Sequence, residues 1–465
     1  MKKPIENSKK VAYCFLVSNE GRDFHLLLPF IYYLEKFENF EVQFEFVWNA
    51  HKIYQKKPDL VILPNTRGHL LYKEISEYSF ENNILVFYHD SEGNFKTEMT
   101  YDFLGYNKKG MFYCPIQFTW NQRVKDFLIE KYNFPENKVI VSGAPGFDKY
   151  KILPQIEKAA ILKKYNLSQY SKVVGYAGWA FGKLYNEEIN DVLNILLKPG
   201  EEGKRWLESQ RDIVEDCLRQ AIEKYPDVLF ILKKHPRENF ESDYRDSRNE
   251  MNQLIKHENV LYLKDEEEIQ DLIQISDLWV AFESTSIMEA WLLGKPTLII
   301  NSDSDFKRVD IYKGSASVKN PTEMLYAFSQ LFEENNLAYF EQESILKRRK
   351  AIIENSIGFS DGLNHMRIVK SFKPYLNSIQ KNDNKIKLNF KFLRIYILLH
   401  IGKLFYIPWL FKKMPKFKKT VWVFENYKLE KIKEGRKNLY PHLDAFYIKT
   451  NLNDKIRTGE IWEQL

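Results

Sequence analysis

The sequence predicts an α/β protein in which two halves, each with a mainly parallel sheet, face a central cleft and are followed by a helical, basic C-terminal extension. Two observations predict the halves: short apolar runs alternate with helical patterns, and the alternation is interrupted around residues 150–171. A third observation, the change to a basic composition after residue 381, sets the extension apart. Strands that alternate with helices form βαβ units, whose ligands bind beyond the carboxyl ends of the strands.

In the first half, taken as residues 1–155, apolar runs predict strands and apolar residues at helical spacing predict helices. The first run ends in the turn cluster 18–21, after which helical spacing begins. The predicted strands are 11–17, 40–48, 58–64, 84–88 and 138–143, and the predicted helices are 25–36, 69–80 and the stretch that follows Asn121 up to Tyr132.

The second half, taken as residues 171–350, repeats the same alternation and is followed by a helical return segment, 351–380. Its apolar runs are short and end in turn residues, as buried parallel strands do. The predicted strands are 173–178, 228–233, 260–263, 278–282 and 297–300, and the predicted helices are 201–224, 267–274 and the stretch up to Leu293 that follows Ser286.

The extension, residues 381–465, opens with a strongly basic stretch. Between residues 381 and 420 there are eleven Lys or Arg residues and one acid, Asp383. The apolar run 395–411 within it is interrupted by Pro408 and is short for a membrane span. Basic flanks around an aromatic-rich helix favour contact with an anionic membrane surface. The alternative is an ordinary helix that packs its apolar face on the protein.

Composition excludes several classes of protein. Hydrophobic residues make up 44% of the 465 residues and charged residues 28%, which excludes a disordered or collagen-like chain. The net charge of +6 is too small at this length to indicate a nucleic-acid partner. The three cysteines lie far apart, so we expect neither a disulfide framework nor a zinc site, and they suit a reducing cytoplasm. The polar N-terminal residues predict no signal peptide.

A cluster of hydroxyl residues follows the predicted strand 278–282. Ser284, Thr285 and Ser286 open a helix there, where free N–H groups, the helix dipole and the hydroxyls would favour the phosphate of a nucleotide. Glu289, about one turn further on, would reach a ribose hydroxyl. The alternative is that Ser284 or Thr285 only caps the helix, because capping and phosphate binding use the same geometry.

A histidine follows the predicted strand 228–233. Pro236 directs the chain out of the strand, and His235 is flanked by cationic residues that include Lys234 and Arg237. An imidazole there would donate to phosphate oxygens as charge builds on a leaving group. A single histidine is more often structural or exposed, but its place at a strand end of the same half as the hydroxyl cluster favours the functional interpretation.

An acidic turn follows the predicted strand 84–88 of the first half. Asp90 and Glu92 precede Gly93, which permits a tight turn. A carboxylate that projects into the cleft would act as general base on an acceptor hydroxyl. The alternative is a solvated acidic turn in which Asp90 is a cap.

Two glycine-containing segments are less specific. Residues 142–148 end the sheet of the first half, and we expect a hinge there before any ligand contact. Residues 175–179 lack the spacing of a dinucleotide fingerprint, although a turn at Gly178 would allow a nucleotide to approach closely.

Two such halves, with their Rossmann-like pattern, look like a GT-B glycosyltransferase. Three segments in order, 91–93, His235-Pro236 and 284–286, resemble the motifs of bacterial sialyltransferases and Kdo transferases that use CMP-activated sugars. The resemblance implies that Glu92 is the catalytic base, that His235 stabilises the departing CMP phosphate and that the three hydroxyl residues bind that phosphate. This sequence departs from the family pattern at Ser91, which leaves Asp90 as a rival base.

Residues 142–148 and 283–296 also look like bacterial surface-carbohydrate biosynthesis proteins, CDP-glycerol polymerases and UDP-sugar 2-epimerases. The resemblance covers roughly residues 10–350. It implies an inverting transferase that moves a sialic acid or Kdo type of sugar from a CMP-linked donor to a glycan or lipid-linked acceptor, without metal or cofactor. We expect it in the cytoplasm or at the inner face of the membrane. The alternatives are a CDP-glycerol-type glycerophosphotransferase, an enzyme like the 2-epimerases, and a non-catalytic protein that binds nucleotide sugars or glycans.

Overall fold

The chain divides into two compact units in the computed structural model. One unit comprises Met1–Leu153 and Asn355–Leu465, and the other comprises Pro154–Glu354. The chain therefore leaves the first unit once and returns to it, and the predicted linker between residues 155 and 171 lies within the second unit. The structure describes residues 9–17, 22–65, 70–91, 93–94, 101, 106, 113–179, 181, 200–235, 249–264, 266–301, 313–379, 386–404 and 429–465.

The first unit is built on a parallel sheet of four strands: β1 (Lys10–Leu16), β2 (Phe40–Phe46), β3 (Leu60–Leu63) and β4 (Leu85–Tyr88), in the order β2-β1-β3-β4. A separate parallel pair is formed by β5 (Gln117–Thr119) and β6 (Val139–Val141). Strand β1 is a continuous apolar run because both of its faces are covered. The α-helices of this part are Arg22–Phe37, Leu70–Glu81, Gln122–Tyr132 and Lys149–Ile152, and Val47–Tyr54 is a 3-10 helix.

The second unit contains a parallel sheet of six strands: β7 (Lys172–Ala177), β8 (Val228–Lys233), β9 (Val260–Leu263), β10 (Leu278–Ala281), β11 (Thr297–Ile300) and β12 (Ala316–Val318). Their order is β9-β8-β7-β10-β11-β12. This is the doubly wound Rossmann order, in which the chain first builds outward on one side of β7 and then on the other. The helices are Lys158–Lys164, Gly200–Lys224, Ile269–Ile275, Ser286–Leu292, Pro321–Phe332 and most of Glu343–Ile357, which ends just past the boundary at Glu354.

The C-terminal part of the chain completes the first unit. Buried side chains of its helices, among them Phe372, Leu443 and Tyr447, belong to the same hydrophobic core as β1 and the helix Arg22–Phe37. Much of the predicted extension therefore packs into this unit, because its helices carry an apolar face that fits the core. The helices are Asn364–Asn377, Phe390–Leu404, Leu429–Lys449, Leu452–Thr458 and Glu460–Gln464.

Candidate functional site

The carboxyl ends of β8, β7 and β10 lie side by side in the second unit. Ala177 pairs with Lys233 on one side and with Ala281 on the other. The N–H of Gly178 donates to the carbonyl oxygen of Lys233 at 2.9 Å and extends this pairing by one residue. The chain reverses its direction of sheet building between β7 and β10, and ligands of open α/β sheets bind at such a switch point. The predicted histidine and hydroxyl segments thus follow strands on the two sides of β7.

The turn after β10 is strained. Glu283 has a φ of +45°, and the other described non-glycine residues with positive φ are all asparagines. A non-glycine residue in this region costs energy and persists only where its surroundings impose it, which happens most often at functional sites. The helix that follows, Ser286–Leu292, has only seven residues, so the anion site predicted there relies on the turn and its hydroxyls rather than on a long helix.

The three hydroxyl residues have different environments. Ser286 is buried, and its Oγ accepts from Trp279 Nε1 at 3.0 Å and from Ser284 Oγ at 3.0 Å. The N–H of Ser286 donates back to Ser284 Oγ at 3.3 Å. Thr285 is exposed and its side chain makes no capping hydrogen bond. Ser286 is therefore a support for the turn, whereas the hydroxyl of Thr285 faces outward, and the capping alternative does not apply to Thr285.

The support for this turn extends into the sheet. Trp279 is fully buried in β10 and lies opposite Gly175 in β7. A Cβ atom at Gly175 would lie 2.3 Å from the Trp279 ring, so only glycine leaves room for the indole that reaches Ser286.

The histidine segment is described up to His235, which is half-buried, as is Lys234. Lys233 is not directed towards a ligand, because its ammonium donates to the carbonyl oxygens of Lys264 and Glu267, the latter at 2.8 Å. Pro236 and Arg237 lie outside the described residues.

The turn after β7 is held by a buried carboxylate. Glu250 Oε1 accepts from the hydroxyl of Tyr176 at 2.8 Å and from the N–H of Trp179 at 3.2 Å. A methyl group on Gly178 would lie 2.4 Å from Met251 Cε and 3.2 Å from the carbonyl oxygen of Lys233. Close packing against the protein therefore accounts for a glycine at this position. The sequence analysis did not single out Glu250, because nothing local marks it as a partner of β7.

The acidic turn after β4 is tightly held in the first unit. The carbonyl oxygen of Asp90 accepts from Trp120 Nε1 at 3.0 Å, and its carboxylate accepts from the hydroxyl of Tyr106. A Cβ atom at Gly93 would lie 2.3 Å from the Trp120 ring. Asp90 is only 7% exposed, so it does not project from the strand end as the sequence predicted. Glu92, the other predicted base, lies outside the described residues.

His89 is a candidate that the sequence analysis passed over. It is fully buried; Nε2 lies 2.9 Å from Ser142 Oγ, and Nδ1 lies 3.1 Å from the carbonyl oxygen of Asp90. Burial lowers the pKa of His89 to about 4, so the imidazole is neutral near pH 7. A buried histidine with a shifted pKa at a strand end is a candidate functional residue. The sequence feature that could have indicated His89 is its position as the first polar residue after β4.

Residues 142–148 form a junction within the first unit. The buried carboxylate of Asp148 accepts from the N–H of Asn364 at 3.1 Å and its Nδ2 at 2.8 Å, and from the N–H of His365 at 2.9 Å and its Nδ1 at 2.8 Å. His365 Nε2 in turn lies 3.0 Å from the hydroxyl of Tyr447. These bonds connect the segment to the returning chain and the C-terminal helix.

Metal-binding chemistry is not indicated by the part of the chain that the structure describes. Within it, no group of three or more His, Cys, Asp or Glu side chains is arranged to hold a metal ion. The three cysteines are free and buried. Burial raises the pKa of Cys114 and of Cys217 to about 12, so both thiols stay protonated.

The fold and the strand order define an α/β protein that contains a doubly wound unit. Residues 117–372, more than half of the chain, match the model of the family CDP-glycerol:poly(glycerophosphate) glycerophosphotransferase. The chain belongs to this family. The match includes the whole second unit and the junction with Asp148.

Solved structures share the fold at low sequence identity. A Listeria monocytogenes protein described as a UDP-N-acetylglucosamine 2-epimerase is 16% identical, with 82% of this chain and 99% of that chain covered and a TM-score of 0.52. The Staphylococcus aureus protein MnaA with UDP is 15% identical, with 81% and 100% covered and a TM-score of 0.51. The wall teichoic acid polymerase TagF, with CDPG, is 12% identical, with 81% and 90% covered and a TM-score of 0.49.

A curated relative matches over a shorter stretch. The uncharacterized protein MJ1060 of Methanocaldococcus jannaschii is 32% identical over 80 residues, which are 17% of this chain and 15% of that protein. The chain thus matches less than a sixth of the length of that relative.

The predicted α/β fold with parallel sheets and a helical C-terminal region is confirmed. The family match favours the CDP-glycerol interpretation, which was the alternative, over the CMP-sugar interpretation.

Proposed function

We propose that the protein transfers glycerol phosphate from CDP-glycerol to a hydroxyl group of a surface-polymer acceptor. The single observation that carries this proposal is the family match over residues 117–372. The switch point in the sheet of the second unit supports the proposal, because the phosphates of a nucleoside diphosphate need hydrogen-bond donors, which such a strand edge offers. The acceptor is proposed to be a glycan or glycerol phosphate polymer, free or linked to a lipid at the inner face of the membrane.

The donor is proposed to bind at the carboxyl edge of the second unit. The outward hydroxyl of Thr285 would donate to a phosphate oxygen, while Ser286 holds the turn through Trp279. Ser284 donates its single hydroxyl proton to Ser286, so it would donate to a phosphate only after that bond is released. His235, on the other side of β7, would donate to the phosphate that leaves with cytidine. Glu289 remains proposed for the ribose, and Lys234, Pro236, Arg237 and Gly178 remain proposed as neighbours of the diphosphate.

The reaction is a single displacement at phosphorus. The acceptor oxygen attacks the phosphorus that carries glycerol, a new P–O bond forms, and the P–O bond to CMP breaks. The acceptor proton passes to a general base, and CMP leaves with the bridging oxygen. Glu92 stays the first proposed base, because the carboxylate of its rival Asp90 is buried and bonded to Tyr106. His89 is neutral near pH 7, but it is fully buried and its Nε2 lies 2.9 Å from Ser142 Oγ, so it comes after Glu92 for the same reason as Asp90.

A second candidate function is the epimerisation of a UDP-linked sugar. The observation in its favour is the fold shared with the Listeria monocytogenes protein over 99% of that chain. Both functions require a nucleoside diphosphate group at the same strand edge, so the fold alone does not distinguish the two functions.

The test is donor turnover by the purified full-length protein. We expect CMP release from CDP-glycerol in the presence of a glycerol phosphate polymer, and no conversion of UDP-N-acetylglucosamine or of a CMP-linked sialic acid. Thermal shift with CMP, CDP and UDP checks binding separately, because a ligand at 100 times its Kd adds about 2.7 kcal/mol of stability. Epimerised UDP-sugar without CMP release would overturn the proposal. Sugar transfer from the CMP-linked donor would overturn it as well.

Variants assign the residues. Replacement of His235 or Thr285 by alanine is expected to weaken the thermal shift caused by CDP. Glu92→Gln and His89→Asn are expected to differ in turnover. The variant that lacks the general base should keep nucleotide binding and lose turnover, whereas the other variant should keep both. Full turnover in both would refute Glu92 and His89 as the base.

A further inference from the structure

The helix Phe390–Leu404 in the first unit exposes an apolar face. Five of the twelve large hydrophobic residues that are exposed in the described part of the chain lie between residues 388 and 401, with exposed fractions from 45% to 76%. Single exposed hydrophobic residues are ordinary, but a contiguous group marks an interaction site. The five are Leu388, Phe390, Ile397, Leu398 and Ile401.

Three of these side chains share one side of the helix, Leu398 lies next to them, and Leu388 precedes the first helical residue. At about 100° per residue, Phe390, Ile397 and Ile401 point within about 40° of one another. Arg394, which is also exposed, lies about 20° beyond the edge of this sector. The helix is therefore apolar on a side that stays exposed among the described residues.

The opposite side of this helix is fixed to the protein. The buried ring of Phe392 lies 5.5 Å from that of Tyr78, and the ring of Tyr396 lies 3.8 Å from that of His51. The hydroxyl of Tyr54 donates to the carbonyl oxygen of Asn389 at 3.1 Å, just before the helix begins. The exposed face is consequently held in one orientation on the first unit.

The charged residues of this segment all have one sign. Residues 386–404 contain four cations, Lys387, Lys391, Arg394 and Lys403, and no Asp or Glu. Lys391 forms an ion pair with Glu74, while Lys387 and Arg394 are exposed beside the apolar residues. Cations beside an apolar helical face complement an anionic lipid surface, where the side chains enter the acyl boundary and the cations meet headgroups.

We propose that this exposed face docks on the surface of a bilayer that contains anionic lipids, with the helix lying along the membrane. A helix of this length measures about 22 Å, less than the hydrocarbon thickness of about 30 Å. None of the helices in the described ranges is long and apolar enough to cross a membrane. The docking is independent of which nucleotide donor the second unit binds.

The experiment is vesicle binding by the full-length protein. Sedimentation with vesicles of phosphatidylcholine alone, or with about one third phosphatidylglycerol, gives the affinity at low and at high salt. The proposal predicts binding to the anionic vesicles, weakened by salt. Ile397→Glu with Ile401→Glu is expected to lower the affinity about tenfold or more. Ile448→Glu is the matched control, because Ile448 is 72% exposed in the same unit and lies outside this face; it is expected to bind as the wild type does.

Folding and self-association are measured on the same samples. The nucleotide-induced thermal shift shows that the double variant is folded, and Arg394→Glu tests the face without adding a charge at an apolar position. Absence of wild-type binding to anionic vesicles would overturn the proposal, and so would equal binding by the double variant. A wild-type dimer that the double variant turns into a monomer, without vesicle binding, would assign the face to a second copy and overturn it too. Unchanged turnover of a water-soluble acceptor by the double variant separates this result from the proposed function.

Discussion

Ser286 and Thr285 are adjacent, yet the structure predicts opposite effects when each is replaced by alanine. In Ser286→Ala, the indole N–H of the fully buried Trp279 loses its acceptor, and the hydroxyl proton of Ser284 loses its acceptor as well. A buried donor left without a partner costs about 1–3 kcal/mol. The free energy of unfolding should therefore fall by about that amount. For a unit of this size the Tm should fall by roughly 2–12 °C.

In Thr285→Ala, no hydrogen bond within the protein is lost at an exposed position, so stability should change by less than about 0.5 kcal/mol. If the hydroxyl donates to a phosphate, its loss should weaken CDP binding by about tenfold or more, because hydrogen bonds to charged groups are worth about 1.5–3 kcal/mol. Urea unfolding and titration with CDP measure the two effects. The matched control is Ser329→Ala in the same unit, a half-buried serine whose hydroxyl donates to the backbone carbonyl oxygen of Tyr326.

Two results would refute this reasoning. If Ser286→Ala is as stable as the wild type, the bond from Trp279 does not support the turn. If Thr285→Ala loses stability and keeps its affinity for CDP, Thr285 is a helix cap and the phosphate site lies elsewhere.

Two further predictions concern the first unit. The pKa of His89 in the folded protein, about 4, lies below its ordinary value of 6.5. Between these two pH values the unfolded chain therefore binds more protons than the folded protein. The stability that neutral His89 contributes is present above about pH 6.5, and about 3 kcal/mol of it is lost as the pH falls towards 4. Urea unfolding at pH 7, 5.5 and 4 should show this loss, and His89→Asn should flatten it; an equal slope in the variant would contradict the assignment. Asp148→Ala should cost about 3–5 kcal/mol, because it leaves buried donors unpaired, whereas Asp361→Ala should cost about 1 kcal/mol or less, because its pair with Arg367 is at the surface. Equal urea midpoints for these two variants would show that the buried network contributes no more than a surface pair.

Much of the secondary structure could be predicted from local pattern. The strand predicted at 228–233 is β8, and the strand predicted at 278–282 is β10 with one residue fewer. Such runs are apolar on both faces because helices cover both sides of a parallel sheet, and this leaves a clear signal in a single sequence. The prediction of a strand at residues 47–48 was wrong, because these residues continue the alternating pattern of the strand but begin a 3-10 helix. Alternation does not show where pairing with a neighbouring strand stops.

The candidate site could be predicted only as a set of segments. The hydroxyl cluster and His235 were found because strand ends can be read along the chain, and residues after parallel strands share one edge. The separate roles of the hydroxyl residues could not be predicted from the sequence. Ser286 faces inward because the sheet brings Trp279 to it, and this leaves Thr285 facing outward. Glu250 was missed for the same reason, because its partners Tyr176 and Trp179 are more than 70 residues away.

The amino-acid sequence by itself determined the α/β class, the alternation of strands and helices and the basic composition after residue 381, because periodicity and composition are properties of neighbouring residues. The tertiary structure alone decided that helices of the predicted extension pack into the first unit, where Leu443 and Tyr447 share a core with β1. It also decided that Asp90 is buried and that one face of the helix Phe390–Leu404 is left exposed. Burial depends on which distant segments pack together, and a residue's neighbours along the chain do not encode that choice.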